Sequence, residues 1–82
     1  MNKRKLLEKV LASSKNISFH EMVVLVEAFG FSLSRVKGSH FIFVHPLIPE
    51  LINIQSKNGK AKPYQVREFL ELVERYNLDL GD

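Results

Sequence analysis

Three strand-type segments lie between Phe31 and Gln55, and the connections between them are too short for a crossover. Strands joined so closely can pair only as an antiparallel meander. The first segment, Phe31 to Lys37, opens Phe-Ser-Leu-Ser, the period-two pattern of a half-buried strand. Gly38 then permits a tight turn at positive φ. Ser39 to His45 is dense in aromatic and β-branched residues and should be the central strand. Pro46 and Pro49 bracket the next connection, because neither can donate to a ladder. Leu51 to Gln55 reads as the third strand.

Helical spacing flanks this block on both sides. Leu6, Leu7, Val10 and Leu11 form one stripe, and the polar stretch from Ala12 ends it. Ser18-Phe19-His20-Glu21 is a capping box, followed by Met22, Leu25, Val26 and Phe29 on one face, with Gly30 as the stop. After a basic loop from Ser56 to Lys62, Pro63 suits the first position of a last helix. Val66, Phe69, Leu70, Val73 and Tyr76 give that helix its apolar face, and Glu71 stands four residues before Arg75, an ion-pair spacing. The residues from Asn77 to Asp82 should fray.

The expected fold is therefore α+β: a three-stranded antiparallel sheet with helices on one face, in the order α-(α)-β-β-β-α. Residues 1–17 would be a helical extension, 18–78 the domain proper and 79–82 the tail. The sheet's inner face would carry Phe31, Leu33, Phe41, Phe43, Ile52 and Ile54. By parity, His40, Ile42 and Val44 then point to the uncovered face.

Eighty-two residues leave room for one core, and 45% hydrophobic content is enough to build it. With no cysteine, disulfides and thiolate metal sites are excluded, and the three histidines lack metal-ligand spacing. No metal and no cofactor are expected. There is no apolar run long enough for a membrane and no signal-peptide core, so the expected compartment is the cytoplasm. The net charge of +3 is a mild basic tilt whose meaning depends on clustering.

From Arg35 the run Arg-Val-Lys-Gly-Ser-His-Phe-Ile-Phe, with His45-Pro46 after it, is more specific. A helix ending in Gly-Phe, a strand, then Lys-Gly-Ser-His before an aromatic strand resembles the HicA family of toxins, over most of the chain. The resemblance implies a fold like the double-stranded RNA-binding domain and a metal-independent RNase activity on mRNA with His40 as its key residue. It also implies a neutralising HicB-like antitoxin. Family members often carry a Pro-x-His-Gly type segment after the third strand, where this chain has Ile54-Gln55-Ser56-Lys57-Asn58-Gly59.

An imidazole titrates near neutrality, so His40 could take the 2′-OH proton as RNA attacks its own phosphate. Lys57, Lys60 and Lys62 crowd a helix start, which favours phosphate, and Arg35, Lys37, Gly38 and Ser39 could extend the RNA-binding surface. Ile42 and Val44 offer apolar area to the antitoxin. His20 in a first helical turn and His45 at a strand end read as incidental. The alternative is an RNA-binding or partner-binding module of the same fold without cleavage.

Overall fold

Two reciprocal hydrogen bonds fix the start of the first core helix. The Ser18 hydroxyl accepts from the Glu21 N–H at 3.0 Å, and the Glu21 carboxylate accepts from the Ser18 N–H at 2.9 Å. In the structure, a computed structural model that describes residues 1–81, this capping box opens α2, Phe19–Ala28. A helix of the same length precedes it: α1, Lys3–Ala12, capped by Asn2. Lys9 of α1 donates to the Glu21 carboxylate at 2.8 Å, tying the two helices together and holding the Glu21 carboxyl below its ordinary range. Leu6, Val10 and Ile17 enter the same core as the rest of the chain, so residues 1–17 share the packing of 18–78.

The remaining elements are β1 (Ser32–Lys37), β2 (His40–His45), β3 (Ile48–Lys57), β4 (Lys60–Ala61) and α3 (Pro63–Arg75). The strands lie in the order β1-β2-β3-β4, each antiparallel to its neighbour. The meander is thus as expected, with one strand more. β3 runs past Gln55 to Lys57, then turns through Asn58 and Gly59, both at positive φ, into the two residues of β4. Asn-Gly suits such a two-residue turn, so the segment expected to be a basic loop is a hairpin. The order α2-β1-β2-β3-α3, with helices on one sheet face, is that of a double-stranded-RNA-binding-domain-like α+β fold.

Parity in β2 holds. Phe43 is 1% exposed among helix residues, and Phe41 packs edge-on against Phe19 with ring centroids 4.8 Å apart. Ile52 and Ile54 sit opposite Phe43 and Phe41 and complete the inner face. Leu33 departs from expectation. It pairs with Phe43 on the inner side but lies on the edge strand beyond the helices, and is 46% exposed. One residue later Ser34 forms a bulge, so that Arg35 pairs with Ile42 and Lys37 with His40. Strict alternation would have placed Arg35 and Lys37 on the same face as Leu33; the extra residue sends them to the other.

α3 is held against β3 by polar clasps at both ends. Near its start, Gln65, 2% exposed, accepts from the Gln55 N–H at 2.7 Å and donates to the Gln55 side chain at 3.1 Å. At its end, Glu50 accepts from the Tyr76 hydroxyl at 2.6 Å and from Arg75 at 3.0 Å. Among the described residues Arg75 therefore pairs across to Glu50 and not along the helix with Glu71. The tail expected to fray has no regular element, yet Leu78 and Leu80 pack on the core and the Gly81 N–H donates to Ala28 at 2.9 Å. Asp82 lies outside the described residues.

The Glu50 clasp gives stability a pH signature. The Tyr76 hydroxyl, before Arg75, holds the Glu50 carboxyl below its ordinary value, and the carboxylate in turn pushes the Tyr76 phenol up. A lowered carboxyl stabilises the fold above its unfolded value and loses that contribution as pH falls through the folded one. The raised phenol contributes below its unfolded value and loses it as pH rises through the folded one. Glu50→Gln should therefore cost stability near pH 7 and cost less near pH 3, on the way down through the lowered folded value. Urea unfolding at the two pH values checks this, and an equal loss at both would remove the carboxylate from the account.

Candidate functional site

Antiparallel partners share a sheet face, so the register places the site residues directly. On the face away from the helices, Arg35 stands beside Ile42 and Asn53, while Lys37 stands beside His40 and Gln55. The two rows are neighbours. Gly38, at φ +62°, and Ser39 form the two-residue turn that brings Lys37 opposite His40. Glycine at the first turn position is what this hairpin type requires. Val44 continues the outer face opposite Ser32. Ile42 and Val44 are half-buried by their neighbours, whereas Arg35 and Lys37 are exposed.

His40 is the first residue of β2 and is held from one side. Its Nδ1 lies 3.2 Å from Asn53 Oδ1 and 2.9 Å from Asn53 Nδ2. Asn53 belongs to the neighbouring row of β3, diagonal to His40 across the ladder. The ring's other nitrogen, Nε2, has no hydrogen-bond partner among the described residues and is open to an incoming group.

His45 has a structural setting. Its ring packs edge-on against Phe31 at 5.0 Å, and its Nδ1 accepts the Leu47 N–H at 3.1 Å across the turn into β3. A Cβ at Gly30, where φ is +96°, would come within 3.0 Å of its Nε2, so the ring also fills the space that glycine leaves. His20 is exposed on α2. The three histidines are not brought together, and among the described residues no group of three or more His, Cys, Asp or Glu could hold a metal ion.

The lysines form a second basic site. Lys57 and Lys60 pair across the β3–β4 hairpin, and Lys62 is the residue before α3. With Lys15 and Asn16 they line a cleft of about 370 Å³. Lys60 donates to Asn16 Oδ1 at 3.0 Å, which fixes its ammonium group over the cleft. The first turn of α3 has no acidic residue and no side-chain cap, so the positive end of the helix dipole adds to the field, although Pro63 has no N–H and the Gln65 N–H donates to the Lys62 carbonyl at 3.0 Å. Lys57 has the parity of Asn53 and Gln55 and so faces the same side of the sheet as His40.

Asn53 and Lys15 are the members that sequence reasoning missed. Asn53 lies in a strand where a polar residue marks only the outward side, and its partner stands thirteen residues earlier. Lys15 sits in a polar stretch that reads as a helix breaker; the Ser18–Lys60 bridge, with the Ala61 N–H donating to Ile17, brings it to the hairpin.

No helix of the described residues is long and apolar enough to cross a membrane. No curated protein and no solved structure matches the chain. A family model does: the one described as the HicA toxin of bacterial toxin-antitoxin matches residues 19–74, from the first residue of α2 into the last turn of α3. With more than half its length matched, the chain belongs to the HicA toxin family.

Proposed function

We infer that this protein is an endoribonuclease toxin that cleaves mRNA in the cytoplasm without a metal ion, using His40 as the proton acceptor. The observation that carries this reading is the register. It sets His40 on an open sheet face with Arg35 and Lys37 beside it, and leaves Nε2 free.

RNA supplies its own nucleophile. His40 takes the 2′-OH proton, the 2′ oxygen bonds to phosphorus, and the bond from phosphorus to the 5′ oxygen breaks. The products are a 2′,3′-cyclic phosphate and a free 5′-OH, the leaving oxygen receiving a proton. Charge builds on the phosphate oxygens during this step, and guanidinium and ammonium groups on the same face are suited to stabilise it. Nothing in the sequence needs a protein nucleophile. The lysine cleft then fits a phosphate elsewhere on the strand, where lysines and the positive end of the α3 dipole favour an anion.

Inhibition fits the same face. An antitoxin gains most by covering the reacting group, and His40 shares its surface with Ile42 and Val44. Arg35 and Lys37 offer charge that an acidic HicB-like partner would match.

Three experiments test this reading. Induced expression in bacteria should stop growth with loss of intact mRNA, and His40→Ala should relieve both while leaving circular dichroism unchanged; equal toxicity of the two proteins would sink the catalytic assignment. Changing Lys57, Lys60 and Lys62 together to Gln should weaken RNA binding and reduce the log–log salt slope by about 2, at ~0.7–0.9 per contact. A slope that does not move would mean that the cleft is merely solvated. Ile42→Asp should lower antitoxin affinity by about thirtyfold or more in titration calorimetry, since it buries a carboxylate at a cost of ~2–5 kcal/mol. Undiminished affinity would place the antitoxin on another surface.

A further inference from the structure

Among the described residues, the amide of Asn53 is the one polar group that the fold aims at the ring of His40. Both of its terminal atoms lie within hydrogen-bond distance of Nδ1, Oδ1 at 3.2 Å and Nδ2 at 2.9 Å. A half-turn of the amide therefore exchanges an acceptor for a donor at nearly the same place. The two arrangements have opposite consequences for the ring. With Nδ2 facing Nδ1, the imidazole must carry its proton on Nε2, and it presents a donor to solvent. With Oδ1 facing it, Nδ1 carries the proton and Nε2 presents a lone pair.

We propose that Asn53 is a positioning residue that holds the His40 proton on Nδ1, so that Nε2 faces the substrate as a base. This rests on the proposed role of His40 in cleavage and says how the fold prepares that role. Only the Oδ1 arrangement serves both before and after proton uptake. Once Nε2 takes a proton, both ring nitrogens are donors, and an amide N–H facing Nδ1 would oppose the change. An acceptor already in place needs no reorganisation at that moment. A side chain that orients the base and fixes its tautomer is a recurring element of base-activated hydrolases.

Backbone geometry makes Asn53 fit for this. Its strand pairs with β2 at the adjacent Ile42, and the ladder continues on both sides through Ile52–Phe43 and Ile54–Phe41. Ile52 and Ile54, the residues on either side of it, are buried at 3% and 0% exposure, so the backbone that carries Asn53 is anchored in the core. His40 is pinned between Lys37 and Gln55 in the same sheet.

Nitrogen-15 NMR of the imidazole reads the tautomer directly, whether or not RNA is cleaved. In the wild-type protein, the neutral His40 ring should carry its proton on Nδ1. Asn53→Leu should release it to the Nε2–H form that free histidine prefers, and should lower kcat for RNA cleavage by roughly tenfold or more with KM little changed. Asn53→Asp, which keeps an acceptor at the same place, should retain the Nδ1–H form and most of the cleavage. A wild-type ring protonated on Nε2, or a tautomer that Asn53→Leu leaves unchanged, would overturn the proposal. The expected tautomers in a protein that cleaves no RNA would uphold the positioning by Asn53 while refuting the ribonuclease reading. Asn53→Asp changes least in shape, so it keeps the test decisive even where Asn53→Leu fails to fold.

Discussion

Everything on the open sheet face follows from the parity of β2. Its side chains alternate His-Phe-Ile-Phe-Val from His40 to Val44, and burial of Phe43 against α2 and α3 decides which set faces inward. A slip of one residue would bury His40 and expose two phenylalanines. Apolar area is worth about 25 cal/mol per Å², so such a slip costs several kcal/mol. The inner face thus fixes the position of the outer one, and a histidine with no packing role of its own is placed by the phenylalanine beside it.

β1 then adapts to β2. Two apolar residues, Leu33 and Val36, are separated by an odd number of positions in a strand that must keep both on one side. The bulge at Ser34 absorbs the mismatch. The consequence is chemical: with the bulge, Arg35 and Lys37 both face the His40 side, and without it they would point toward the helices. A bulge with charged neighbours also blunts β1 as an open edge, where bare strand groups would invite another chain to pair.

Features written in short-range chemistry were legible in the sequence. Ser18 with Glu21, Gly38 in its turn, and Pro63 at the first position of α3 each satisfy a demand that lies within a few residues. The antiparallel order followed from loop length alone. What could not be read depends on pairing at a distance. The bulge is the difference between two strand registers, and nothing in Ser34 itself declares it. β4 exists because Lys60 meets both Lys57 and Ser18, while the lysines around Asn58-Gly59 made the stretch look like a solvated loop. Arg75 had a plausible partner one helical turn away and found Glu50 instead, because Tyr76 holds that carboxylate ready beside it. For the candidate site, the outward parity of His40 was visible in the sequence, but its contact with Asn53 needed the β2–β3 register.

The two basic regions differ in what they demand of the fold, and the fold treats them differently. A phosphate contact through lysine tolerates an ångström of play, because the charge is a point on a flexible stem and the field falls off slowly. Such lysines can stand on a two-residue strand and at a helix start, as Lys60 and Lys62 do. Proton transfer does not tolerate that play, since the base must reach its proton at hydrogen-bond length. On the proposed reading that demand falls on His40, which sits in the central strand of the meander, paired on both sides, with its ring held at Nδ1. The same precision exposes it. A rigid imidazole beside the half-buried Ile42 and Val44 presents one preformed surface, and RNA and an inhibitory protein would both have to use it. On the proposed reading the two cannot be bound together. Neutralisation then needs no conformational change in the toxin, only an occupant of that face that leaves more slowly than RNA arrives.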